Sequence, residues 1–202
     1  MKLPRIPRAP ALLLAAVLAS PAAAQRAPAV AFEVRGGGVA PTGAFGDRAS
    51  DGWMVGGTVR LRVRNVDVYA GYQHDDLPTL VHDDETGEPV QSDGFATTDD
   101  GIRAGVRLHF PLRGTAVLPW GEAGVLYNRI SLHIPGATGV GFAWGPGVEA
   151  GAGVAVDVAP KVALTPGVRL RYHEARFRDG GADYIASGIS SLTFDMGVRF
   201  TP

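Results

Sequence analysis

The side chains of this chain best suited to proton transfer are five histidines, His74, His82, His109, His133 and His173. Acyl-ester chemistry built on any of them needs a carboxylate to orient the ring and a hydroxyl close enough for the ring to activate. In His173-Glu174-Ala175 the acid is present but no Ser is near, and His109 sits between Leu108 and Phe110. A second candidate is acidic. Between Asp75 and Asp100 the chain carries Asp75, Asp76, Asp83, Asp84, Glu85, Glu88, Asp93, Asp99 and Asp100 with no Lys or Arg. Clustered carboxylates suit hard divalent cations such as calcium, yet His82-Asp83-Asp84-Glu85-Thr86-Gly87 lacks the ligand spacing of an EF-hand and reads as a solvated surface loop. No glycine run opens a helix, so no phosphate-cradling loop is expected. The sequence thus offers no catalytic, cofactor-binding or metal-binding set, and the chain is expected not to be an enzyme and to need no cofactor.

The charged residues are more ordered than these candidates. Glu33, Arg35, Arg60, Arg62, Asp67, Arg103, Arg107, Glu122, Glu149, Arg169, Arg171, Asp195 and Arg199 each fall on the polar side of a segment that alternates polar and apolar residues. The last segment shows the rule most clearly. Leu192, Phe194, Met196, Val198 and Phe200 share one face, and Thr193, Asp195, Gly197 and Arg199 share the other. A period of two makes a strand with one apolar face, since a helix would scatter these residues around its axis. In the same way Ile102, Ala104, Val106, Leu108 and Phe110 oppose Arg103, Gly105, Arg107 and His109. Trp53, Val55, Val59, Leu61 and Val63 oppose Met54, Thr58, Arg60, Arg62 and Arg64, and Val162, Leu164, Val168, Leu170 and Tyr172 oppose Thr165, Arg169, Arg171 and His173.

Eight such segments are expected, at 29–40, 52–64, 66–76, 100–110, 117–130, 142–156, 162–176 and 189–200. In the fifth, Trp120 and Leu126 break the pattern. Pro119, Pro146 and Pro166 each remove a ladder donor and are expected near strand ends, at bulges or beyond an apolar belt. The connectors alternate: short near Asn65, at 111–116 and at 157–161, longer at 41–51, 77–99, 131–141 and 177–188. An even strand count places both chain ends on the side of the short turns.

The N-terminus explains where such a sheet would be used. Lys2, Arg5 and Arg8 precede an apolar run from Ala11 to Ala19 and the small residues Pro21-Ala22-Ala23-Ala24, the layout of a secretory signal peptide cleaved after Ala24. Residues 25–202 then form one domain with 16 basic and 20 acidic residues, a net charge of −4 that gives no footprint for nucleic acid. Export permits disulfides, but the chain has no Cys and is held by pairing and packing alone. No apolar stretch past residue 24 is long enough for a membrane-spanning helix, whereas tilted strands of about 9 to 11 residues suffice to cross a bilayer.

Aromatics near strand ends, Trp53, Phe110, Trp120, Tyr127, Trp144, Tyr172 and Phe200, suit the interfacial girdles of a membrane barrel. The apolar faces would then meet lipid and the charges would turn inward. Eight strands enclose a space that side chains fill, so the charges must pair, giving an ion-paired plug and no wide pore. The expected fold is all-β: an eight-stranded antiparallel up-and-down transmembrane β-barrel with short periplasmic turns and longer extracellular loops.

With its signal peptide, eight alternating segments, Gly-rich first strand leading into Pro41-Thr42-Gly43-Ala44-Phe45-Gly46, and final Met196-Gly197-Val198-Arg199-Phe200, the chain resembles the small outer-membrane β-barrel proteins related to the OmpA transmembrane domain and OmpX. The resemblance runs from about residue 29 to Phe200. It implies location in the cell outer membrane and contact with outer-membrane lipids and lipopolysaccharide. It also implies recognition of the strand-terminal Phe200 by the barrel-assembly machinery, and a monomer. The role expected is envelope integrity or surface contact through the loops, with a lipid A-modifying enzyme or a narrow channel as alternatives.

Overall fold

The computed structural model describes residues 29–47, 49–82, 89–133, 142–179 and 182–202. The expected signal segment 1–24 and the acidic residues Asp83, Asp84, Glu85 and Glu88 lie outside them, as do the side chains of His82, Asp93 and His133.

Eight strands follow one another in sequence and in space: β1 (Ala29–Thr42), β2 (Gly52–Val63), β3 (Val66–His82), β4 (Pro89–His109), β5 (Val117–His133), β6 (Phe142–Ala159), β7 (Val162–Asp179) and β8 (Ala182–Phe200). Each is antiparallel to its neighbours, and β1 also pairs with β8, so the sheet closes into a barrel and leaves no edge. The turns at one end are tight. Val63 pairs with Val66 across Arg64-Asn65, where Arg64 takes a φ of 58°, and Ala159 pairs with Val162 across Pro160-Lys161, where Lys161 takes a φ of 71°.

Most strands run further than the hydrophobic alternation suggested. The stretches expected as loops at 77–99 and 177–188 are largely strand: β3 continues to His82, β4 starts at Pro89, and β7 and β8 approach to Asp179 and Ala182. The physical reason is that a ladder requires only backbone donors and acceptors, so the hairpins keep pairing above the point where lipid-facing residues must be apolar. The prolines sit where a missing donor is tolerated. Pro119 lies two residues into β5, Pro146 lies where the β6–β7 register shifts, and the β6–β7 ladder has no pairs opposite Pro166.

Side chains divide cleanly between the two surfaces. Phe32, Val34, Val59, Val125, Val148, Leu170, Phe194, Met196 and Val198 point outward, while the interior is lined by charged and polar residues. On β5 the outward residues are apolar or small from Val117 to Tyr127, ten residue steps, which in a strand tilted by about 40° cover roughly 25 Å, the height of an outer-membrane hydrophobic belt. Trp53, Tyr72, Tyr127, Trp144 and Tyr172 mark its upper border and Phe110 and Phe200 its lower one.

Trp120 corrects the expected girdle. It is 2% exposed and faces inward, as does Leu126 at 4%, so β5 alternates regularly and its two apparent irregularities are large apolar residues placed inside. The indole fits because the walls opposite are glycine. A Cβ at Gly167 would stand 2.6 Å from the Trp120 ring, and one at Gly153 would also collide with it. Tyr69 occupies a similar space against Gly105 and Gly124, where added Cβ atoms would lie 2.7 and 2.6 Å from its hydroxyl. Lumen glycines on β4, β5, β6 and β7 thus make room for two aromatic plates that cross the barrel.

Candidate functional site

The lumen is filled in three layers. Counting from the turn end, the first is built on Asp67 of β3. Its carboxylate accepts from Arg62 Nε at 2.6 Å and Nη2 at 2.9 Å and hydrogen-bonds His109 Nε2 at 2.9 Å. Arg62 and Asp67 are direct cross-strand partners, and His109 reaches Asp67 from β4. Below this cluster a cavity of about 570 Å³ opens at the barrel mouth, lined among others by Arg62, Asp157, Lys161 and Arg199.

The middle layer is ionic. Glu122 of β5 is its hub: Arg107 donates to it at 2.9 Å, Arg103 at 2.9 Å and Arg169 at 2.5 Å, with Arg60 at 3.7 Å and Arg35 at 3.8 Å. Glu33 of β1 receives Arg60 at 2.8 Å and Arg107 at 3.1 Å, Glu149 of β6 receives Arg103 at 2.5 Å and the Tyr69 hydroxyl at 2.7 Å, and Asp195 pairs with Arg169. Trp120 lies against two of the guanidiniums, with Arg107 3.8 Å and Arg169 5.2 Å from its ring centre, and Tyr69 does the same for Arg60 and Arg103 at 5.0 and 4.9 Å. Each such desolvated contact is worth about 2 kcal/mol. The aromatic plates therefore add attractive contacts to four of the crowded guanidiniums.

Above it, Arg171 pairs with Asp75 and, at 3.5 Å, with Asp99, whose carboxylate also meets His173 at 3.0 Å and Asn128 at 2.9 Å. Gln73 links this group to the middle layer, accepting from Arg35 at 3.4 Å and donating to Asp75 at 2.7 Å. Two small apolar clusters close the loop end, Val39, Ala49, Met54 and Leu77 on one side and Ile130, Ala175 and Ile189 on the other, with Phe45 packed against both. Phe45 is held by a single turn of 3-10 helix, Gly43–Phe45, entered through Gly43 at a φ of 61°. The chain after it is pinned to β3 by the bridge of Ala49 to Thr79 and the bond from Ser50 N–H to Pro78 O.

The charge count of this interior balances. Among the described residues seven carboxylates, Glu33, Asp67, Asp75, Asp99, Glu122, Glu149 and Asp195, and seven guanidiniums, Arg35, Arg60, Arg103, Arg107, Arg169, Arg171 and Arg199, are buried. All are inward residues of alternating strands, and every charged residue expected on the polar face is among them except Arg62, whose side chain is 27% exposed at the mouth, and Arg64, which is exposed in the turn after β2. Asp75 and Asp99, read as part of a solvated acidic loop, belong instead to the lumen, since β3 and β4 carry them inside the barrel wall. Asp76 and Asp100 alternate with them and face outward.

Each histidine whose side chain is described pairs with an aspartate: His74 with Asp100 at 2.7 Å, His109 with Asp67 and His173 with Asp99. A histidine held by a carboxylate is half of a nucleophile-activating set. Among the described residues no hydrogen bond joins any of the three rings to a Ser or Thr hydroxyl, and the hydroxyl found at the His74 pair, that of Tyr72, itself donates to Asp100 at 2.7 Å. Sequence reasoning missed Tyr69 and Trp120 as parts of the lumen. The facing glycines were the available signal, but it becomes readable only once the strand register is known.

A closed sheet with an apolar outer belt, aromatic borders and an ion-paired interior is an outer-membrane β-barrel, because it presents hydrocarbon to lipid and satisfies every strand edge internally. Residues 10–200 match the family described as Outer membrane protein beta-barrel domain, and the chain belongs to that family. No curated protein matches the chain. Among solved structures it is similar to Neisserial surface protein A, with a TM-score of 0.62, 16% identity, and coverage of 86% of this chain and 97% of that one. The outer membrane protein OprG from Pseudomonas aeruginosa aligns with a TM-score of 0.55 at 13% identity over 87% and 98% of the two chains. A major outer membrane protein from Thermus thermophilus aligns at 0.51 and 12% identity over 86% and 100%. At such identities the likeness is one of fold.

Proposed function

We propose that this protein is a non-enzymatic, non-conducting barrel of the outer membrane that acts through its loop end, by surface contact or by strengthening the envelope. The observation that carries this reading is the lumen. Seven carboxylates and seven guanidiniums, two aromatic plates and an apolar cap fill the lumen from the loop end down to the Asp67 cluster, above the cavity at the turn-end mouth. A water-filled path would require several of these pairs to separate at once, and each break strands a buried charge at a cost of about 3 to 5 kcal/mol. The outward Phe200 at the end of β8 supports recognition by the assembly machinery, and the edgeless sheet supports a monomer.

Two measurements test the reading. Refolded protein in a planar bilayer should leave the membrane electrically silent at either polarity; stepwise conductance would make it a narrow channel. Mass spectra of lipid A incubated with the protein should be unchanged; loss or transfer of an acyl chain would make it a lipid-modifying enzyme.

A further inference from the structure

The outer wall of the barrel carries a polar group where the apolar belt ends. Along β5 the outward residues pass from Val125 to Tyr127 to Arg129, and along β4 from Ala104 to Ile102 to Asp100. Backbone register puts Arg129 beside Asp100 on one side and Trp144 on the other. The Asp100 carboxylate is engaged by the Tyr72 hydroxyl and by His74 Nδ1, both at 2.7 Å. Arg129 is exposed and makes no ion pair with any described residue. An unpaired guanidinium at this level lies at the height of lipid headgroups, where an outward charge costs only about 0 to 1 kcal/mol.

Directly below it is a groove of about 330 Å³ in the belt, formed where Ala70 and Ala104 present little more than backbone and walled by Ile102, Val125 and Tyr127. Tyr127 is stacked on Trp144 with ring centres 5.4 Å apart and planes 14° from parallel, which fixes the rim between groove and guanidinium. The groove faces hydrocarbon, so its occupant is an acyl chain. The unpaired cation one residue pair above it selects the headgroup.

We propose that Arg129 and the groove at Ala70 and Ala104 form a site for one phosphate-bearing lipid of the outer leaflet, the phosphate on the guanidinium and one acyl chain in the groove. A bidentate pairing of guanidinium with phosphate suits this geometry, and the Tyr127–Trp144 stack would border the sugar or glycerol between the two. The site lies on the outside of the wall and does not depend on whether the lumen conducts.

Native mass spectrometry of the protein refolded in phosphate-free maltoside micelles doped with lipid A tests this. The wild type should retain one lipid A through detergent exchange. R129Q should lower the retained fraction at least tenfold, and dephosphorylated lipid A should bind the wild type as weakly as intact lipid A binds R129Q. A104F, which fills the groove with a side chain suited to a lipid-facing wall, should lower retention of lipid A comparably. Both substitutions lie on the outer wall, and unchanged strand content by circular dichroism shows that the barrel is intact. Equal retention by wild type and R129Q, or retention unaffected by A104F, overturns the proposal.

Discussion

Glu122 carries more of the interior than any other single residue, because five arginines lie within 3.8 Å of its carboxylate. Its burial is expensive, and the pairs it makes need not add net stability over an apolar core. Removing it is a different matter. In E122A the guanidiniums of Arg35, Arg60, Arg103, Arg107 and Arg169 would share only Glu33, Glu149 and Asp195, and the loss should be about 3 to 5 kcal/mol, read as a shift of the urea unfolding curve followed by tryptophan fluorescence in detergent. Arg62 gives the contrast, since its partly exposed side chain at the mouth is reached by water. R62Q leaves the buried Asp67 with His109 as its remaining partner and should cost about 1 to 3 kcal/mol in the same measurement, less than E122A. If both variants unfold alike, the middle layer is solvated. Glu122 and its arginines could be placed by sequence on the polar face of their strands; that one carboxylate would gather five of them could not. That depends on which strands stand across the lumen, and alternation within a strand carries no such information.

At the scale of the strand, the chain's pattern was legible where lipid and lumen press on opposite faces. In β8 every outward residue from Phe194 to Phe200 is apolar and exposed, and Thr193, Asp195 and Arg199 are buried, as alternation alone indicates. Above the belt the outward face no longer meets lipid and need not be apolar, so the upper reaches of β3 and β4 lost the pattern while keeping the ladder, and Asp75 and Asp99 passed for loop residues. Trp120 was misplaced for a related reason: an amphipathic ring suits an interface as well as a cation-lined lumen. The belt yields a direct test. Phe194 lies mid-strand on the lipid side, so F194R should cost about 2 to 4 kcal/mol and reduce assembly into membranes, monitored by the heat-modifiable mobility of the folded barrel on gels. The inward glycines yield another. In G167V the added side chain would overlap the Trp120 indole and should cost about 1 to 3 kcal/mol; a neutral result would mean that the indole has room to turn aside.

For the whole molecule, the order of the layers decides what any one change can do to permeability. Phe45 sits at the loop mouth, where it touches both apolar clusters and where the connection between β1 and β2 folds over the lumen. Taken alone, this resembles a lid whose removal would open a pore. Yet the Arg171, Asp75 and Asp99 group lies immediately beneath it, the Glu122 layer below that, and the Asp67 cluster at the far mouth. Barriers in series are governed by the tightest of them, and truncating a ring at the top leaves every buried charge pair in place. F45A should therefore lose less stability than the ~3 to 5 kcal/mol of a fully buried Phe, because Phe45 is only partly buried, and still conduct nothing in a planar bilayer. Raising the salt should change little, since ion pairs shielded from water are weakly screened. Current through F45A would mean that the ionic layers are permeable and that the apolar cap is the real seal, which would move this barrel from the closed class to the gated one.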